Sequence, residues 1–411
     1  MTQRPSLITP VLLAGCAIIL ISFAIRSAFG VFQIPIQEEF GWLRSDFSMA
    51  IAIQNLAWGL GAPLFGAIAE RFSDRKAILL GVAFYAIGLL LSAGASTPTE
   101  HHVLEVLVGF GIAGTGMGLI LAIVGRAASD EHRSMALAIA TAAGSGGQIF
   151  GPPLAEMLLN LFDLQVVFVI FALAIVSTLL VLPVLRSPAS APSTAAPEPM
   201  GQVVGRALRD PSFTLIFLGF FSCGYQLGFI TAHFPAFVTE LCGPIAPGGV
   251  LAGLGITTTS ALGAVAISMI GLANIGGVLA AGWAGKRYSK KNLLAGIYLG
   301  RTLVAAAFIM VPITPETVIL FSLAMGSLWL ATIPLTSGLI AHLYGLKYMG
   351  TLYGVVFLSH QIGSFMGVWL GGRLYDAYGD YTLVWWIGVG VGLFSALVHL
   401  PIRERAAPVP A

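Results

Sequence analysis

Residues 66–76 read GAIAERFSDRK and residues 282–291 read GWAGKRYSKK. Gly66, Glu70, Arg71, Ser73 and Arg75 of the first stretch match Gly282, Lys286, Arg287, Ser289 and Lys291 of the second at a constant offset of 216 residues. Each stretch is a short polar turn between two long apolar runs, and the turn recurs after about half the chain. The repeat extends into the runs themselves. Ser22, Phe29 and Pro35 align with Ser222, Phe229 and Pro235 at an offset of 200, which sets Arg26 opposite Gln226, and Arg126 aligns with His342 at 216. The halves therefore run parallel, six apolar segments followed by six.

Composition fixes the environment of those segments. The 411 residues are 57% hydrophobic and 9% charged, against roughly 25% charged in soluble domains. At roughly 20 residues per helical crossing, spans are predicted near 10–32, 46–69, 77–97, 103–126, 134–158, 165–185, 212–237, 260–285, 293–313, 317–344, 350–372 and 382–402. The expected fold is an all-α membrane protein of twelve transmembrane helices in two pseudo-symmetric bundles, residues 1–186 and 211–411, joined by a cytoplasmic linker at 187–210 rich in Pro, Ala and Ser. The first run, after Arg4, is expected to stay as an uncleaved helix, since no small-residue cleavage pattern follows it.

Basic residues orient the chain. With the N-terminus inside, sixteen Lys and Arg fall on the cytoplasmic side and only Arg44 and Arg373 outside, which places both termini in the cytoplasm. The net charge of +2 is spread over short turns and implies no nucleic-acid partner. Cys16, Cys223 and Cys242 form no obvious pair, and no Cys or His cluster suggests a metal. The apolar loop 241–259 has no counterpart in the first half and reads either as a lid or as a flexible connection.

The stretch from Gly66 to Lys76 resembles the loop signature of the major facilitator superfamily, with Ser73 where the family usually has a second glycine. Gly147 and Gly151-Pro152 resemble a glycine-proline motif of the fifth helix, although Ala155-Glu156 replaces the two glycines of antiporter versions. Within the superfamily, Arg26-Ser27-Ala28-Phe29-Gly30-Val31-Phe32, Phe40-Gly41-Trp42 and Arg44-Ser45 look like the monocarboxylate-porter and oxalate/formate-antiporter branch. That resemblance implies a secondary transporter of the bacterial inner membrane, working by alternating access. Members of the branch usually carry an arginine in the eighth span; here that span offers Asn274, which moves the search for a cationic anchor to Arg26, Arg301 and His360.

Charge inside a span costs at least a few kcal/mol and normally faces the bundle interior, so Arg26 and Arg301 are candidates for contact with substrate. The alternative for either is a structural guanidinium bonded to helix carbonyls. No Asp or Glu is expected at the middle of a span: Glu105, Glu156 and Glu316 lie near outer ends. Two intramembrane cations without a central acid point to a small organic anion, because a desolvated guanidinium favours a bidentate carboxylate.

His360 and His233 are the mid-span groups able to titrate near neutral pH and so to couple a proton. Tyr225 and Gln226, across the repeat from Arg26, are expected to orient the substrate, with Gln361 and Asn274 completing the pocket and Asn55, Trp58, Trp329 and Thr332 as further lining candidates. Glu70, Arg71, Asp74, Arg75, Arg126, Arg133, Lys286 and Arg287 are expected to gate the cytoplasmic side, besides obeying the positive-inside rule. Gly109, Gly111 and Gly114 match G-x-G-x-x-G, but no strand precedes them and helix packing explains them. The absence of G-x-x-x-x-G-K-[ST] argues against ATP-driven pumping. The expected protein is a monomeric carrier of a small monocarboxylate, coupled to protons, with no catalytic residues and no cofactor; exchange of carboxylates without protons and export of hydrophobic compounds are the alternatives.

Overall fold

The computed structural model describes residues 6–129, 131–185, 205–344 and 349–404. Most of the expected linker 187–210, the side chains of Glu70 and Arg133, and Asp130 lie outside the described residues. Chain contacts divide the protein into two units, Met1–Pro192 and Ser193–Ala411.

The first unit contains α1 (Pro10–Phe40), α2 (Arg44–Arg71), α3 (Asp74–Ser92), α4 (Pro98–Ala127), α5 (Arg133–Leu161) and α6 (Leu164–Val184). The second contains α7 (Pro211–Leu241), α8 (Thr259–Ala284), α9 (Lys290–Ile309), α10 (Pro315–Tyr344), α11 (Met349–Tyr378) and α12 (Thr382–His399). There is no strand among the described residues. The twelve helices are those the apolar runs predict, in two bundles of six.

Several helices begin where a capping side chain meets a proline. Thr9, Thr97, Asp210 and Thr314 each accept from a backbone amide of the first turn, and Pro10, Pro98, Pro211 and Pro315 follow. The cap satisfies a donor the helix cannot, and proline at that point loses nothing because its missing N–H would have had no partner. These caps lie outside the most apolar stretch, which is why α4 opens at Pro98 and not near 103 as its hydrophobicity suggests. The repeated turn has the same logic. Ser73 accepts from the Lys76 amide and Ser289 from the Asn292 amide, so the serine standing where the family usually has glycine is the N-cap of the next helix.

Glycine sets the closest helix contacts. A Cβ at Gly147 or Gly151 of α5 would stand 2.3 Å from the Leu20 carbonyl oxygen and 2.1 Å from that of Ala24 on α1. At Gly363 and Gly367 of α11, 216 positions on, it would stand 2.0 Å from the Phe221 and 2.2 Å from the Tyr225 carbonyl oxygens of α7. Backbone-to-backbone contact of this kind is the usual basis of helix association in lipid. Gly109 and Gly111 pack likewise, on Gln54 and Tyr85, as expected for that run. The loop after α7 holds one helical turn, Val250–Gly253, and is tied to the α9–α10 connection by the Gly243 amide, which donates to the Ile313 carbonyl at 3.0 Å.

Two helices are broken at the same point of the repeat. α4 is interrupted at Gly116, whose φ of −87° and ψ of −176° are extended. α10 is interrupted between Leu328 and Thr332; Thr332 is 216 positions after Gly116.

Candidate substrate site

Arg26 lies in the α-helical part of α1, three residues before a 3-10 turn at Phe29–Phe32. Its side chain turns towards α2. The guanidinium carbon sits 4.7 Å from the Trp58 ring centroid and 5.9 Å from that of Phe23, and Nη2 donates to Asn55 Oδ1 at 3.3 Å. Phe23 and Trp58 meet edge to face at 6.1 Å. Asn55 is held in turn by its own Nδ2, which donates to the Ile51 carbonyl at 2.8 Å. The Arg26 Nε is buried without a partner, and no carboxylate among the described residues is bonded to this side chain.

The break in α4 borders the same place. A Cβ at Gly116 would lie 3.7 Å from the Trp58 indole nitrogen. The segment from Met117 to Ala127 starts there with amides that have no carbonyl one turn back in their own segment, and such an end carries partial positive charge. A guanidinium on an aromatic face, a carboxamide and a helix N-terminus thus lie in one neighbourhood of the first unit.

The corresponding place in the second unit is built differently. Arg301 is 0% exposed. Its Nε and Nη2 donate to the Leu328 carbonyl at 3.0 and 2.8 Å, Nη2 also to the Trp329 carbonyl, and Nη1 to Cys223 Sγ at 3.4 Å. Asn274 Oδ1 accepts from the Leu330 amide at 2.9 Å. Arg301 and Asn274 thus satisfy the carbonyls and the amide released by the break in α10. Buried backbone groups left unpaired in lipid cost several kcal/mol each, which explains a charge in the ninth span without a ligand.

Tyr225 and Gln226 also differ from expectation. They are 1% and 4% exposed, and both turn inward to α12: Tyr225 Oη donates to the Val384 carbonyl and Gln226 Nε2 to the Gly388 carbonyl, each at 3.3 Å. With Trp385 and Met325 they line a small cavity inside the second unit. His233 is 0% exposed; its Nε2 faces the Val368 carbonyl at 2.8 Å and its Nδ1 the Tyr381 hydroxyl at 3.2 Å. The carbonyl requires a proton on Nε2, and the Tyr381 hydroxyl pairs with Nδ1 as donor or acceptor. His360 Nδ1 lies 2.9 Å from Gln361 Oε1, and its ring stacks on Phe357 at 5.6 Å and packs on Phe220.

The gating candidates make contacts within their own units. Arg126 of α4 pairs with Asp74 of α3 at 2.6 Å. Arg75 Nε donates to the Leu185 carbonyl at 3.1 Å and Nη2 to that of Pro183. Arg71 lies over Phe72 at 5.8 Å and Arg287 over Trp283 at 4.2 Å; Lys286 is exposed.

One acid, expected near the outer end of its span, is buried deeper than the apolar run implies. Because α4 starts at Pro98, Glu105 lies about two turns inside it, 2% exposed, accepting from Gln54 Nε2 at 2.7 Å. The consecutive carboxamides Gln54 and Asn55 in an apolar span were the available signal.

The twelve-helix repeat in two six-helix units is the architecture of a membrane carrier. The chain belongs to the Major Facilitator Superfamily, whose sequence model matches residues 15–368, a family of transporters rather than enzymes. It is 26% identical over 398 residues to the uncharacterized MFS-type transporter YcxA of Bacillus subtilis (strain 168), covering 92% of this chain and 91% of that protein. It is 25% identical over 402 residues to monocarboxylate transporter 13 of Bos taurus, covering 92% and 86%. The crystal structure of a D-xylose-proton symporter superposes with a TM-score of 0.71 at 15% identity over 98% of this chain and 100% of that one, a likeness of fold.

Proposed function

We propose that this transporter carries a small monocarboxylate across a bacterial inner membrane by proton-coupled alternating access, as a monomer with both termini in the cytoplasm. The observation that carries the reading is Arg26: an intramembrane guanidinium resting on Trp58 and bonded to no acid among the described residues. A cation so placed retains its Coulomb field for an incoming anion and offers a planar pair of donors to its oxygens. Asn55 and the start of the Met117 segment complete the oxygen contacts. The likeness over most of its length to a protein named a monocarboxylate transporter supports the same class. Tyr225, Gln226, His360, Gln361, Asn274 and Arg301 fix the helices of the second unit.

The test is uptake in proteoliposomes. Arg26→Gln, reconstituted at equal amount, is expected to lose carboxylate uptake; undiminished uptake removes the anchor. Dependence of uptake on an imposed pH gradient separates proton symport from exchange. A second reading, export of uncharged or hydrophobic compounds, draws on the aromatic surround of Phe23 and Trp58, and its sign is drug resistance on overexpression without carboxylate binding.

A further inference from the structure

Glu105 is an embedded acid that the substrate site does not use. The one hydrogen bond it receives among the described residues comes from Gln54, itself 1% exposed. Gln54 is fixed against α4 because a Cβ at Gly109, one turn beyond Glu105, would stand 2.3 Å from the Gln54 carbonyl oxygen. The next residue of α2, Asn55, accepts from Arg26. Two adjacent carboxamides therefore hold one group each, the acid of α4 and the cation of α1.

The titratable and charged groups around Glu105 are few. On α3, Tyr85 packs on α4, where a Cβ at Gly111 would stand 2.4 Å from its Cβ, and its hydroxyl donates to the Ser22 carbonyl at 3.3 Å. On α1 the charge is Arg26, held by Asn55. On α4, His101 lies one turn earlier, 3% exposed and edge-on to Trp42 at 4.9 Å. α2 contributes the neutral Gln54. No cation is bonded to the carboxyl group among the described residues.

An ionised carboxylate with a single neutral donor in such surroundings costs several kcal/mol. In this conformation the group is therefore the neutral acid. We propose that Glu105 carries the coupled proton and that its charge state sets whether Arg26 is available to the substrate; this rests on the reading of Arg26 as the carboxylate anchor. A proton from the aqueous phase forms the O–H bond of Glu105, which then makes no claim on the guanidinium, and the substrate anion takes the field of Arg26. When the proton leaves to water, the bare carboxylate needs compensation, the guanidinium held by the neighbouring carboxamide Asn55 supplies it, and the substrate anion is displaced. Proton and carboxylate bind together and leave together.

The experiment compares wild type, Glu105→Gln and Arg26→Gln in proteoliposomes with labelled lactate and pyruvate as probes. Glutamine mimics the neutral acid, so Glu105→Gln is expected to keep exchange of probe across the membrane and to lose accumulation driven by a pH gradient. Gradient-driven accumulation like that of wild type overturns the proposal, and so does loss of exchange in folded Glu105→Gln, which makes the residue a substrate contact or a structural group. Persistent exchange in Arg26→Gln sinks the anchor reading instead. Infrared difference spectra on changing pH give a readout that needs no substrate: a band of a protonated carboxylic acid is expected in wild type and absent from Glu105→Gln. Identical spectra overturn the assignment.

Discussion

Arg75 and Lys291 do the same work 216 positions apart. Arg75, at the start of α3, donates to the carbonyls of Pro183 and Leu185 where α6 ends; Lys291, at the start of α9, donates through Nζ to the Leu400 carbonyl at 2.9 Å, just past α12. In each unit a basic side chain of the repeated turn closes the third helix onto the sixth. The last carbonyls of a helix have no amide of their own, and a cation at that end is favoured by the helix dipole. The repeated basic turn is thus a fastening within each bundle, in addition to its bias on topology.

Arg75→Ala and Lys291→Ala are each expected to lower stability by about 1–3 kcal/mol, Arg75→Ala more because two carbonyls lose their donor. The sites are in different units and share no partner, so the effects should add. Thermal unfolding in detergent of both single variants and the double variant checks this.

Arg26→Lys retains the charge but not the planar fork. Carboxylate uptake is expected to survive with a KM raised about tenfold, corresponding to about 1.4 kcal/mol, whereas Arg26→Gln abolishes it. Concentration dependence of uptake for both variants is the measurement.

Arg301→Gln is expected to act on stability rather than on affinity. It strips the donors from the Leu328 and Trp329 carbonyls and should cost about 3 kcal/mol or more, lowering the unfolding temperature of unliganded protein. Asn274→Ala should lower it less, since one amide is left unpaired. A normal unfolding temperature with weakened carboxylate binding would return Arg301 to the substrate site.

Gly147→Val and Gly363→Val are expected to prevent proper assembly of α5 on α1 and of α11 on α7, since neither backbone can retreat. Gly282→Ala, where a Cβ meets nothing within 4 Å, should leave stability unchanged. Yield of monodisperse protein in detergent separates the two kinds of glycine.

His233→Asn is expected to destabilise the second unit and to leave the pH profile of uptake in place, because both ring nitrogens are already engaged, by Val368 and Tyr381. A shifted profile would reinstate His233 as a proton carrier.

The fold was legible because membrane helices declare themselves by length and apolarity, and because Ser73 and Ser289, Gly147 and Gly363, and the basic turns repeat at one spacing. The site was legible only in part. Arg26 stood out as a charge in a span. Tyr225 and Gln226 occupy the equivalent place on α7, but which neighbour a helix face meets is decided in three dimensions, and here that neighbour is α12. Arg301 stood out as a charge too, but its acceptors here are main-chain oxygens exposed by a break in α10, and main-chain groups have no letter in a sequence. Glu105 was placed near a helix end because hydrophobicity starts later than the Thr97-Pro98 cap.

The interrupted helices α4 and α10 give the two bundles unequal mechanical properties. Bending α10 at its gap means tearing off Arg301 and Asn274, whereas among the described residues no side chain is bonded to the amides of residues 116–118, so α4 can pivot there at little expense. A duplicated architecture has in this way kept one rigid copy of its joint and one supple copy, and the supple one adjoins Arg26.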